Sequence, residues 1–296
     1  MEIRDAQNQD VSTVVALLRE ADDARVLSEE HVLHMRSTSL ERAHLVELVT
    51  VDDGRIVACG AAALNIWTSA PGAAWAFLTV AADRRGEGIG SALGEALLDH
   101  LRRVDTSKVT ALIRHSETSE RWATARGWSR ELTAPLIAID PRAVSGPELP
   151  DGFRCVAMSE VTPEAVYATV CEAALDEPMP TPNDSIPFDD FMRDWEDPDL
   201  DLGSSSVVLD GERVVALAFI NIAGTRAQHG FTGTARDYRG RGLATAAKRH
   251  ALRAAAARGV ERVTTSNAED NAAMRAINHR LGFEPIGEHV IMARDL

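Results

Sequence analysis

The stretch Arg84-Arg-Gly-Glu-Gly-Ile-Gly90 returns as Tyr238-Arg-Gly-Arg-Gly-Leu-Ala244, and each copy opens a long Ala/Leu-rich helical pattern. This pair constrains the fold more than any other feature, because it fixes the same strand-turn-helix connection twice. Backbone N–H groups converge on an anion only where side chains vanish, and Gly86, Gly88 and Gly90 in one copy, or Gly240, Gly242 and Ala244 in the other, meet that need. The following helix adds the positive end of its dipole. Arg85 and Arg239 lead the turns, placed to anchor the loop or to meet a phosphate. They stand 154 positions apart, as do Gly88 and Gly242. Asp53-Gly54 and Asp210-Gly211, both read as hairpin turns, and Gly127-Trp128 and Gly282-Phe283 recur at similar separations. The chain reads as a duplicated domain.

The boundary falls in Asp140 to Gly152, where Pro141, Pro147 and Pro150 with two glycines stop regular structure. This gives a first module at 1–140, a linker at 141–151 and a second module at 152–296. Each module begins with a short strand (Glu2 to Asp5; Phe153 to Val156) and a helix (Val11 to Ala21; Pro163 to Leu175). A hairpin follows (His44 to Thr50 with Ile56 to Ile66; Ser205 to Leu209 with Val214 to Ile222), then an apolar strand (Ala73 to Val80; Ala227 to Thr234) that feeds the Gly turn. The long helix, a strand, a helix and final strands complete the pattern. The fold class is α/β (α+β), with a mixed, mostly antiparallel central sheet flanked by helices in each module.

Two other Gly turns fail the comparison. A nucleotide-triphosphate loop needs a Lys-Ser or Lys-Thr pair after its last Gly, and Ser91-Ala92 and Thr245-Ala246 stand there instead. A dinucleotide fold places its turn after the first strand, whereas these turns sit mid-module behind an antiparallel meander.

The residues resemble the GNAT acetyltransferase superfamily, whose acetyl-coenzyme A signature is Arg/Gln-x-x-Gly-x-Gly/Ala. Arg85-Gly-Glu-Gly88-Ile-Gly90 and Arg239-Gly-Arg-Gly242-Leu-Ala244 carry the match, and the run from Asn267 through Asn271 and Asn278 to Leu281-Gly-Phe283 resembles the family's closing strand and helix. The tandem arrangement is similar to that of mycothiol synthases. The resemblance implies acetyl-coenzyme A as acyl donor, no metal, and direct attack of an acceptor amine on the thioester in a ternary complex. It implies cofactor contacts at Val80, Arg85, Gly86, Glu87, Gly88, Ile89 and Gly90 in the first module. In the second module they are Thr232, Gly233, Thr234, Arg239, Gly240, Arg241, Gly242, Leu243, Ala244, Asn271 and Asn278. Backbone N–H groups at Val80, or at Thr232 to Thr234, are the expected polarisers of the thioester carbonyl.

The chain departs from the family where acid and base are expected. The slot that often holds an acid Tyr is Ala123 in the first module and Asn278 in the second; the slot that sometimes holds a base Glu is Ala74 and Gln228. No residue from Ile56 to Ala82 is acidic, basic or His, so the catalytic candidates are Gln228 and His229 of the second module, which makes the first partly degenerate. His229 reads either as a base or as a satisfied strand histidine. Asn271 reads either as a coenzyme A contact or as a helix cap.

A net charge of −14 argues against nucleic acid or an anionic membrane surface as partner. Ten carboxylates against one cation, Arg193, lie between Asp176 and Asp201 together with Phe188, Phe191 and Trp195. That segment reads as an acidic rim for a cationic amine (amino sugar, aminoglycoside or polyamine) or as solvated surface. Cys59, Cys155 and Cys171 have no metal-ligand spacing, and with no leader or membrane span the expected setting is cytoplasmic, as monomer or homodimer. The alternatives are acetylation of a cysteinyl amino-sugar precursor, as the mycothiol synthase resemblance implies, and a non-catalytic acyl-coenzyme A regulator.

Overall fold

The computed structural model describes residues 1–178, 181–184 and 186–296. The chain divides into two compact units, Met1–Ala134 with Glu288–Leu296, and Pro135–Gly287.

The first unit opens with β1 (Glu2–Asp5), α1 (Val11–Ala21) and α2 (Glu29–Ser37), followed by β2 (Val46–Asp52), β3 (Arg55–Leu64) and β4 (Ala73–Val80). Then come α3 (Ile89–Arg102), β5 (Lys108–Arg114), α4 (Glu117–Thr124) and the start of β6 (Ser129–Ile139). Val11, Val14, Val15 and Leu18 form a buried stripe on α1, and Ile89, Leu93, Leu97 and Leu101 form one on α3. The pleat of β3 serves both: Ala58 and Ala62 turn to the α3 cluster, while Cys59 turns to the α1 cluster. Covering both faces explains why β3 reads as an unbroken apolar run.

The second unit repeats the plan with β7 (Phe153–Ala157), α5 (Pro163–Ala174), α6 (Phe188–Trp195), β8 (Ser206–Asp210), β9 (Arg213–Ala223) and β10 (Arg226–Thr234). It continues through α7 (Leu243–Ala257), β11 (Arg262–Ser266), α8 (Ala272–Leu281) and the start of β12 (Glu284–Asp295). Alanines at 246, 247, 251 and 255 are buried on α7, so small side chains bring that helix close to the sheet.

Strand order is β1-β2-β3-β4-β5-β12 in the first unit and β6-β11-β10-β9-β8-β7 in the second. Within each the pairings are antiparallel except β4 with β5 and β10 with β11. A division at 141–151 assigns all of 152–296 to one module, whereas Glu288–Leu296 belong to the first unit. The reason is edge coverage: His289–Asp295 pair with all of β5, from Arg114 to Lys108, and Leu136–Ile139 of β6 pair with Ser266–Val263 of β11. Pro141–Asp151 is also less free than a linker, since Val144 and Leu149 pack into hydrophobic clusters of the second unit.

The Asp-Gly turns differ in register. Asp53 and Gly54, both at positive φ, are the central pair between β2 and β3; in the second unit Asp210 ends β8 and Gly211 takes the first central position alone at positive φ. Two short helices, α2 and α6, occupy stretches that the sequence pattern leaves irregular. No helix among the described residues is long and apolar enough to cross a membrane.

Candidate functional site

Each Gly turn joins the strand that precedes it to a long helix through two left-handed glycines. Gly86 and Gly88 have φ of 87° and 83°, and Gly240 and Gly242 have 76° and 80°. A Cβ added at any of the four would meet no atom within 4 Å, so their open side is clear for an incoming anion, while φ alone demands glycine. Gly88 and Gly242 are the N-caps of α3 and α7, with no side chain over the helix end. The leading arginines anchor: Arg85 Nε donates to the Val80 carbonyl and Arg239 Nε to the Thr234 carbonyl, each at 3.1 Å.

The two turns differ in charge. In the first, Glu87 pairs with Arg84 at 2.9 Å, which sets a carboxylate at the turn. In the second, Arg241 takes that position and lies over the Tyr238 ring at 5.0 Å. Asp176 holds Arg236 and Arg239 at 2.8 and 2.7 Å, and those two arginines keep its carboxyl well below the usual carboxylate range. Pyrophosphate is therefore better matched by the second turn.

The strands beside the turns splay in both units. Parallel pairing covers Ala73–Trp75 with Lys108–Thr110 and Arg226–Gln228 with Arg262–Thr264, and stops there. On the other edge the units part ways. The β3–β4 ladder runs unbroken from Leu64↔Ala74 to Ala58↔Val80, whereas the β9–β10 ladder shifts by one residue between His229↔Ile220 and Thr232↔Ala218. Gly230 and Phe231 thus oppose Phe219 alone, a β-bulge that frees backbone groups from the ladder. This bulge also corrects a count made at constant spacing. Ahead of it, pairing matches Ala74 with Ala227 and Trp75 with Gln228, so Gln228 does not occupy the slot of Ala74.

Below the bulge lies a buried polar group of side chains. His229 is 2% exposed; its Nδ1 is 3.0 Å from the Phe219 carbonyl, and burial followed by the charge of Lys248 holds the imidazole neutral, well below its usual range. A base that exchanges protons with solvent is not what this geometry provides. Lys248, 1% exposed on α7, has its ammonium 5.6 Å over the Phe283 ring, and burial pulls its pKa down to about 7. His229 Nε2, Thr232 Oγ1 and Asn278 Oδ1 are buried without hydrogen-bond partners among the described residues. Orphaned atoms of this kind cost about 1–3 kcal/mol each and mark a place for water or a ligand group. Lys248 escaped the sequence reading because it sits in an Ala-rich helix. Comparing it with Gly94, equally far past the first turn, exposes it: a Cβ at Gly94 would lie 3.2 Å from Leu78 and 3.7 Å from Trp122.

The remaining candidates fall as follows. Asn271 is the N-cap of α8, its Oδ1 accepting from Met274 N at 3.1 Å. Asn278 is 1% exposed and donates to Asn267 Oδ1 at 2.6 Å. Gly233 faces α5 so closely that a Cβ would stand 2.7 Å from that of Ala173, a packing demand rather than a ligand one. A Cβ added at Gly90 would lie 3.3 Å from Val80. Leu243 and Ile89 are buried first residues of their helices. The acidic segment, outside residues 179, 180 and 185, is largely committed: Asp201 pairs with Arg258, and Asp190 and Asp199 are buried at 6% and 3% exposure. Phe191 packs with Tyr167, Phe188 and Trp195 and pins α6. Burial pushes the Cys59 and Cys155 thiols up to about 12; Cys59 is a core position, whereas Cys155 is half-buried at the edge of a cluster.

A tandem pair of modules, each with a splayed sheet and a glycine turn at a helix start, defines an acyl-coenzyme A-dependent transferase fold. The chain belongs to the acetyltransferase (GNAT) family, whose sequence profile matches residues 14–128 and 169–283. A search of curated protein sequences found no match. Among solved structures, the chain is similar to a tandem GNAT protein from the clavulanic acid biosynthesis pathway (TM-score 0.77, 21% identity, 99% of this chain and 98% of that one). It is similar also to a GCN5-related N-acetyltransferase from Sphaerobacter thermophilus (TM-score 0.74, 20% identity, 99% and 95%). A third is a GCN5-related glucosamine N-acetyltransferase region of a fungal multi-domain protein (TM-score 0.67, 15% identity, 99% and 38%).

Proposed function

We propose that the second unit transfers an acetyl group from acetyl-coenzyme A to the primary amine of a small, cationic molecule of amino-sugar type, by direct attack in a ternary complex. The observation that carries this reading is the bulge at Gly230–Phe231 beside a cationic glycine turn, a combination the first unit lacks. Freed N–H groups of the bulge polarise the thioester carbonyl, which moves that role from Thr232–Thr234 to Gly230–Thr232. The turn from Arg239 to Ala244 and the start of α7 receive the pyrophosphate.

The acid is assigned from this chain's own residues, and the proton shed by the attacking amine passes to solvent water, because neither Gln228 nor the neutral, buried His229 takes it up. Lys248, poised at about 7, protonates the departing thiolate, whose conjugate acid is weaker, so the transfer runs downhill. It thereby stands in for the Tyr absent at Asn278. His229 positions the bulge through the Phe219 carbonyl, and Gln228 lines the acceptor side as a neutral hydrogen-bonding group. The likeness to a glucosamine N-acetyltransferase region supports an amino-sugar acceptor. A second reading, an acyl-coenzyme A-binding regulator, is favoured by one observation: neither Gln228 nor Gly230 offers a titrating group. Thiol release from acetyl-coenzyme A, measured against amino sugars, a cysteinyl amino sugar, aminoglycosides and polyamines, tests both. Turnover with any amine supports transfer; tight coenzyme A binding without turnover sinks it in favour of the regulator.

A further inference from the structure

We propose that the open cleft of the first unit is an anion site, in which Arg25 recognises the carboxylate of a small molecule. Arg25 stands between α1 and α2 with its guanidinium 5.4 Å over the Phe77 ring, and the side chain is partly buried. Among the described residues this guanidinium has no ion-pair or hydrogen-bond partner. Asp22, whose charge acts on it, is engaged elsewhere: Oδ2 is 2.8 Å from His289 Nε2, and Oδ1 accepts from Ala24 N at 3.1 Å.

The location is what gives the unmatched charge a purpose. Phe77 lies on β4 just past Trp75, where pairing with β5 stops, so Arg25 sits at the mouth of the splay. Arg114 ends β5 on the far side of that mouth, His289 is its cross-strand partner on β12, and the charge of Arg114 also reaches Asp22. The carboxylate whose charge acts on Arg25 is thus already hydrogen-bonded twice. A partly buried guanidinium placed over an aromatic ring offers its fork of donors to a planar, bidentate carboxylate. Trp75 and Phe77, stacked with centroids 6.0 Å apart and planes 4° from parallel, offer an apolar wall for the rest of the ligand. A cleft without the bulge and without a carboxylate or histidine on β4 is thereby suited to binding rather than to transfer. The assignment does not depend on which reaction the second unit performs.

Calorimetric titration of the intact chain with succinate tests this, with succinamide as its neutral isostere and coenzyme A as the phosphate-bearing alternative. Succinate is expected to bind and succinamide not. Arg25→Met should weaken succinate at least about tenfold while changing coenzyme A less than about twofold. Arg25→Lys keeps the charge and stem but loses the fork, so it should bind with intermediate affinity even if the methionine variant fails to fold. Succinate binding that is absent from the wild type, matched by succinamide, or untouched in both variants overturns the site. A loss confined to coenzyme A overturns the carboxylate assignment and gives the anion to phosphate.

Discussion

Replacing Lys248 with Met removes the ammonium and keeps the stem, and it should change stability in a way that depends on pH. The folded pKa of about 7 lies below the ordinary lysine value of 10.5, so folding disfavours the protonated lysine. Between those two values the unfolded chain binds the proton and the folded chain does not, and stability therefore rises with pH across that window. At 1.36 kcal/mol per unit, the penalty is roughly 5 kcal/mol below pH 7 as an upper bound, fading towards pH 10.5. Lys248→Met should accordingly unfold at higher urea than the wild type at pH 6, with the advantage shrinking steadily through pH 8 and 9. Equilibrium urea melts at several pH values give the difference directly. The same variant should lose kcat by at least about tenfold, with the Michaelis constant for acetyl-coenzyme A within a few-fold, because only the transition-state proton is removed. Parallel pH profiles for the two proteins would refute the buried ammonium, and an unchanged kcat would refute its role as acid.

Two further outcomes follow from packing and burial. His229 is held neutral, so its protonation on unfolding adds to acid denaturation: the contribution is lost as pH falls below about 6.5, and His229→Leu should flatten the acid limb of the stability curve in melts from pH 7 to 4. Gly233→Ala places a methyl 2.7 Å from that of Ala173 and should destabilise the chain by about 1–3 kcal/mol in a urea melt, whereas Gly146→Ala, with nothing within 4 Å, should be near neutral.

Much of the fold was legible because a repeat doubles the information in each element. The Gly turns, the long helices after them and the closing Leu281-Gly-Phe283 are local features, and the structure places each where its pattern stands; Gly282 is left-handed with Phe283 N bonded to the Asn278 carbonyl at 3.1 Å. What escaped reading is non-local. The exchange of final strands between units depends on which edge His289–Asp295 can cover, and no periodicity encodes a partner. The bulge in β10 is one extra residue that no motif in the strand marks, so constant spacing from Arg239 passes over it and misplaces Gln228. Lys248 and His229 acquire their character from burial by Phe283, α7 and β9, which residue type alone does not disclose. The acidic segment misled in the opposite sense: Asp190 and Asp199 are buried and Asp176 and Asp201 are tied to arginines, leaving less charge at the surface than the composition suggests.

The central claim is that acetyl transfer belongs to the second unit, and acetyl-coenzyme A turnover by Gly242→Asp and Gly88→Asp tests it most directly. Either substitution puts a side chain and a negative charge at a left-handed N-cap, where both the backbone and the pyrophosphate oppose it. Coenzyme A titrations and thiol-release rates on both variants, with melts to show that each is folded, should find that Gly242→Asp abolishes turnover and Gly88→Asp leaves it largely intact. Turnover that survives Gly242→Asp and disappears with Gly88→Asp would contradict the account and move the chemistry to the first unit.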